Sequence, residues 1–98
     1  MPELLKLVWA ERRRMANELW EPLSLTLGWV THDLLAMELA GTMPYKTACD
    51  AGAATYERLA GFDLYRDKNE PIGCVLRFRR DAYRSPYERY DEFTEVRL

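Results

Sequence analysis

The chain predicts an α+β fold, mainly helical: three helices, a β-hairpin and a short C-terminal helix in one domain. Three observations predict it. Apolar residues recur at helical spacing along residues 1–21, two further helical segments follow within residues 29–60, and two alternating runs then flank a polar tip. The domain divides into an N-terminal helix (1–21), a helix pair plus hairpin (29–80) and a C-terminal helix with its tail (81–98).

The first helix opens on Pro2 and Glu3, a residue with preset φ and an acid suited to the positive end of the helix dipole. Leu5, Val8, Trp9, Met15, Ala16, Leu19 and Trp20 then share one arc. Arg12 falls inside that arc, so it either snorkels to solvent or crosses an interface to reach a carboxylate. Glu21-Pro22 ends the helix. Leu23-Ser24-Leu25-Thr26-Leu27 alternates as a short strand with its leucines inward, and Gly28 breaks it.

Thr31 suits the cap of the second helix, whose Leu34, Leu35 and Leu39 are expected in the core. Gly41 and Pro44 mark a break. A third helix is expected over residues 44–60, with Ala48, Ala51, Gly52, Thr55 and Leu59 on one face. Such small side chains imply close packing, since Gly52 costs about 1 kcal/mol against alanine. Gly61 terminates it. The runs 62–66 and 73–79 form the expected hairpin, with Phe62, Leu64, Cys74, Leu76 and Phe78 inward and Tyr65, Val75, Arg77 and Arg79 outward. Ser85-Pro86-Tyr87-Glu88 has the form of a capping box. The helix it would open gives Tyr83, Tyr87, Tyr90 and Phe93 a common stripe, which either packs back on the domain or makes a dimer contact.

Ninety-eight residues support one core, and 48% hydrophobic content with twelve aromatic residues excludes wholesale disorder. No run reaches the roughly 20 apolar residues of a membrane span. Nothing at residues 1–9 resembles a signal peptide, so a cytoplasmic protein is expected. Cys49 and Cys74 sit in apolar contexts and read as reduced, buried thiols. Net charge is −2 overall, and −2, +2 and −2 over residues 1–60, 61–80 and 81–98. Only the expected hairpin is positive, which permits contact with a duplex without requiring it.

Helix, short strand, helix, helix, hairpin is the element order of the winged helix-turn-helix family. Residues 30–39, VTHDLLAMEL, resemble that family's first motif helix, and residues 56–66, YERLAGFDLYR, resemble a recognition helix running into the first wing strand. The resemblance implies a DNA-binding transcriptional regulator. Tyr45, Lys46, Thr47, Cys49 and Asp50 would lie on the recognition helix, and Arg66, Lys68, Asn69, Arg77 and Arg79 on the wing. Duplex DNA is the expected partner. The outward face of that helix also carries Asp50 and Glu57, which would repel phosphates. A second reading is therefore a protein-binding inhibitor or adaptor of phage or plasmid type, acting on a host protein. Arg12, Tyr83, Tyr87, Tyr90 and Phe93 form a possible interface, and a homodimer is compatible with either reading.

No catalytic constellation stands out. His32 is the only histidine and reads as a polar surface residue at a helix start. No metal motif, phosphate loop or nucleophile–base spacing accompanies it. A non-enzymatic chain without cofactor or metal is expected.

Overall fold

The computed structural model describes residues 3–40 and 58–98. The chain runs α1 (Glu3–Ala16), β1 (Glu21–Gly28), α2 (Trp29–Ala40), β2 (Arg58–Leu59), β3 (Phe62–Asp67), β4 (Cys74–Ser85) and β5 (Glu88–Arg97). The strands form one mixed sheet in the order β2-β3-β1-β4-β5. Among the described residues strand outweighs helix, so the mainly helical, three-helix winged fold is overturned.

The reason lies in strand pairing. Phe62–Asp67 and Cys74–Ser85 are strands, but they do not form a hairpin with each other. β1 lies between them, parallel to β3 and antiparallel to β4. Leu25 and Leu27 of β1 are fully buried, so the most enclosed position in the sheet goes to this strand. A parallel β1–β3 pair needs a crossover of a dozen or more residues, and α2 supplies part of it.

Both helices cover the same face of the sheet. Val8 and Met15 of α1 and Leu35 of α2 join Leu25, Leu27, Phe62, Cys74, Leu76 and Phe78 in one buried cluster. Phe62 and Phe78 meet edge to face, with ring centroids 5.4 Å apart, a favourable quadrupole geometry. The expected alternation thus holds for these strands, with Leu64 half-buried, except at Leu23, which is predicted inward but sits at a register shift between Pro22 and Ser24 and lines the opposite face. The helix pattern holds less well. Leu34 is exposed rather than core, and His32 is buried rather than on the surface.

α1 ends at Ala16, short of the predicted end at Glu21. The N–H of Trp20 donates to the Met15 carbonyl (3.1 Å) and that of Leu19 to Ala16 (3.0 Å). Leu19 holds φ at 67°. This is a Schellman stop with leucine where glycine is usual. α2 begins two residues before Thr31, straight out of β1. The N–H groups of Trp29 and Val30 donate to the carbonyls of Glu70 and Pro71, so a distant loop caps this helix in place of a side chain. The same loop leaves no room at Gly28, where a Cβ would stand 2.7 Å from the backbone of Pro71 and Ile72.

The third helix, predicted over residues 44–60, falls largely outside the described residues. Its end is corrected. Arg58–Leu59 is a strand, and Ala60 and Gly61 turn it into β3 with φ of 54° and 85°, the positive pair a type I′ hairpin needs.

The C-terminal helix is also overturned. Ser85 and Glu88 face each other across a two-residue turn between β4 and β5. The Ser85 hydroxyl accepts the Tyr87 N–H at 3.3 Å, a bond that serves a turn as well as a helix start. Pro86 excludes the primed turns that match strand twist, and a register shift at Tyr83/Ser85 supplies the local twist instead.

Candidate functional site

Beyond Arg79, β4 leaves β1 and pairs with β5 alone. Residues 80–92 therefore project from the sheet as a two-stranded ribbon, and the molecule measures 53 Å along its long axis but 28 and 21 Å across. The aromatics read as a helical stripe sit on this ribbon or at its base. Tyr83, Tyr87, Tyr90 and Phe93 are all exposed, Tyr87 almost completely at the tip. Alternation places Tyr83 and Phe93 with Arg79 on one face, and Tyr90 with Arg80 on the other.

The ribbon's root is anchored on the helix side. The Arg80 guanidinium lies 4.1 Å from the centroid of the Trp20 ring, donates to the Glu18 carbonyl at 2.9 Å and reaches Glu92 at 3.2 Å. On the opposite face Arg79 bridges Glu21, Asp81 and Asp91. Arg89 adds a second cation to Asp81 at 2.7 Å. Burial acts to raise the Asp81 carboxyl, but the hydrogen bonds from Arg79 and Arg89 outweigh it and hold the carboxyl below its ordinary range.

The face of the sheet opposite the helices carries a groove of about 280 Å³ lined by Leu23, Ser24, Thr26, Asp63, Tyr65 and Arg77. One rung crosses all five strands there: Arg58, Asp63, Ser24, Arg77 and Glu95. Arg58 pairs with Asp63 and Arg77 with Glu95, both at 3.6 Å. The groove's hydroxyls, those of Ser24, Thr26 and Tyr65, lie beside Asp63, whose carboxylate is paired with Arg58.

The residues expected to read DNA are not brought together. Tyr45, Lys46, Thr47, Cys49 and Asp50 lie outside the described residues. Arg66 lies on the helix-covered face, where it grips Asp33 of α2 through two hydrogen bonds of 3.0 Å each. That fork, with a further bond from His32, lowers the Asp33 carboxyl to about 2. Arg77 and Arg79 lie on the opposite face. Lys68 and Asn69 lie in the loop after β3, where the Asn69 N–H donates to Asp67. Arg12 packs within its own chain, over Trp9 at 4.9 Å and against Gly61.

His32 lines a small pocket with Leu35, Ala36, Leu39, Leu59 and Leu64, and its Nδ1 lies 2.9 Å from Asp33. It helps place the carboxylate that holds Arg66. Burial pushes the Cys74 thiol up to about 11, so it packs as a small apolar group and is a poor nucleophile. Among the described residues no group of three His, Cys, Asp or Glu side chains could hold a metal, and no helix is long and apolar enough to cross a membrane.

Sequence reasoning singled out the aromatics but missed the ribbon that carries them. The available signal was the spacing of Arg79, Asp81, Arg89 and Asp91, which lets the two arginines bridge diagonally to the facing Asp81 and Asp91 of adjacent antiparallel strands. Compared with protein-family models, curated proteins and solved structures, the chain matches none.

Proposed function

We propose that this chain is a non-enzymatic protein-binding module that engages its partner through the β4–β5 ribbon. One observation carries the reading. Every arginine from Arg58 to Arg97 already has a carboxylate partner within the chain, while Tyr83, Tyr87 and Phe93 stand uncovered. A duplex-binding surface needs cations free to replace counterions at phosphates. Here the arginines are neutralised locally, and Arg66 faces away from Arg77 and Arg79. Exposed tyrosine and phenylalanine flanked by paired charge has the composition of a protein interface, with aromatic anchors inside a polar rim. An adaptor or inhibitor role follows more readily than transcriptional regulation.

A photo-crosslinking residue at Tyr83 or Tyr87, compared with one at exposed Ile72 beyond the other end of β4, tests this in cells of the source organism. A discrete heterologous protein adduct is expected from the ribbon positions and not from Ile72. The reading fails if the ribbon gives no adduct, or if the purified chain retards duplex DNA with a steep salt dependence.

A further inference from the structure

The outer edge of β5 is the longest unpaired edge among the described residues, because β5 has β4 on one side and ends the sheet. An edge of this length is a template for another strand, and proteins usually blunt it with charge. The charges on this edge are arranged differently: they are self-complementary. We infer that β5 is a dimerisation edge, on which a second copy of the chain pairs antiparallel through β5 in a register centred on Thr94.

The register follows from symmetry. A two-fold axis perpendicular to the sheet preserves the two faces, so some residue must oppose its own counterpart. Centring on Arg89, Asp91, Glu92 or Glu95 sets identical charges against each other, and centring on Val96 avoids like charges but pairs only residues 94–98. Centring on Tyr90 opposes Glu88 to Glu92, and centring on Phe93 opposes Asp91 to Glu95 and Arg89 to Arg97. Centring on Thr94 places Asp91 opposite Arg97 on both sides of the axis, with no like charges facing, so each joins an ion pair its own chain already makes, Asp91 with Arg79 and Arg97 with Glu95. It also sets Tyr90 against Leu98, two partly exposed apolar side chains. Opposite charges across strands stabilise pairing and like charges oppose it.

Backbone polarity agrees. The Leu98 N–H donates to Cys74 of β4 at 2.9 Å, and alternate residues of an antiparallel strand point their N–H and C=O the same way. Asp91, Phe93, Glu95 and Arg97 therefore aim theirs outward. In the Thr94-centred register these residues oppose one another, Asp91 to Arg97 and Phe93 to Glu95, so each pair exchanges both hydrogen bonds. The two five-stranded sheets become one.

The test uses the full chain with Cys49→Ser as background. Thr94→Cys brings two thiols opposite each other at a Cα separation of about 4.5 Å, within disulfide range. Mild oxidation is expected to convert this variant to a covalent dimer. Glu92→Cys, whose symmetry mate lies about 13 Å away along the strand, is expected to remain uncrosslinked. Glu95→Pro removes an outward N–H and spares the ladder to β4. It is expected to halve the sedimenting mass of the unmodified chain while the β-sheet circular dichroism persists. The inference is overturned if the unmodified chain sediments as a monomer, if Glu92→Cys crosslinks as readily as Thr94→Cys, or if Thr94→Cys resists oxidation.

Discussion

The two halves of β4 obey different rules within one strand. Its first half, from Cys74 to Arg79, lies between β1 and β5 and alternates strictly, with Cys74, Leu76 and Phe78 buried. Its second half, from Arg80 to Ser85, pairs with β5 alone and has no fully buried side chain. The first half is held by hydrophobic burial, which salt does not screen. The second is held by backbone bonds and cross-strand ion pairs, and exposed pairs of this kind are worth little each. A two-stranded ribbon is marginal in water by itself. The ribbon's rigidity must come from its root, which makes it a suitable element to be ordered further by a partner.

The largest expected effect breaks this comparison at its buried end. Phe78→Ala removes a fully buried ring that meets Phe62, and should cost about 3–5 kcal/mol. Tyr83→Ala, five residues along the same strand and mostly exposed, should change stability by less than about 0.5 kcal/mol. Urea denaturation of the two variants checks the contrast. Equal costs would mean that the ribbon is packed as tightly as the sheet.

At the docked end, Gly28→Ala should cost about 1–3 kcal/mol, the range for forcing a methyl into filled space. The added Cβ meets the backbone of Pro71 and Ile72, which cannot rotate aside. Because that loop also caps α2, hydrogen exchange should accelerate at Trp29 and Val30 before it does in the ribbon. Faster exchange in the ribbon first would show that the two ends of β4 are coupled.

Much of the inner half was legible in the sequence, and little of the outer half. Alternation identified Phe62, Cys74, Leu76 and Phe78 because one face of each strand is buried and the other wet. It could not say which strands pair. Nothing local in Leu25 or Leu27 announces that β1 divides β3 from β4, because that choice depends on contacts distant in sequence. Residues 88–97 hid their period-2 signal because both faces of the ribbon carry charge. The spacing of Tyr83, Tyr87, Tyr90 and Phe93 then imitated a helix. Ser85-Pro86 added a start signal that a turn satisfies equally well. Among the candidate site residues, the aromatics were found for a mistaken reason, and the arginines were found without their carboxylate partners.

The junction between the halves is Arg80, which touches Trp20, the Glu18 carbonyl and Glu92. Arg80→Ala should cost about 1 kcal/mol, since the guanidinium is only partly shielded and its cation–π contact is discounted for solvent. The sharper expectation concerns location. Amides of residues 81–85 and 88–91 should lose protection in hydrogen exchange, while those of residues 74–78 keep it.

The one expected gain lies beneath that junction. Leu19 holds a left-handed φ of 67° with its side chain 81% exposed. It therefore bears the Cβ penalty of that conformation and gains little burial in return. Leu19→Gly removes the penalty at the Schellman position, against the greater chain freedom glycine has when unfolded. A net gain of about 0.5–1 kcal/mol in urea denaturation is expected. The turn it strengthens presents the Glu18 carbonyl to Arg80, so the substitution separates two causes of ribbon order. If the root is limited by the turn, ribbon protection should rise together with global stability. If it is limited by the ribbon's own pairing, stability should rise while exchange at residues 81–85 stays unchanged. The second outcome is expected, because Arg80 already reaches that carbonyl at 2.9 Å and a firmer turn adds no contact.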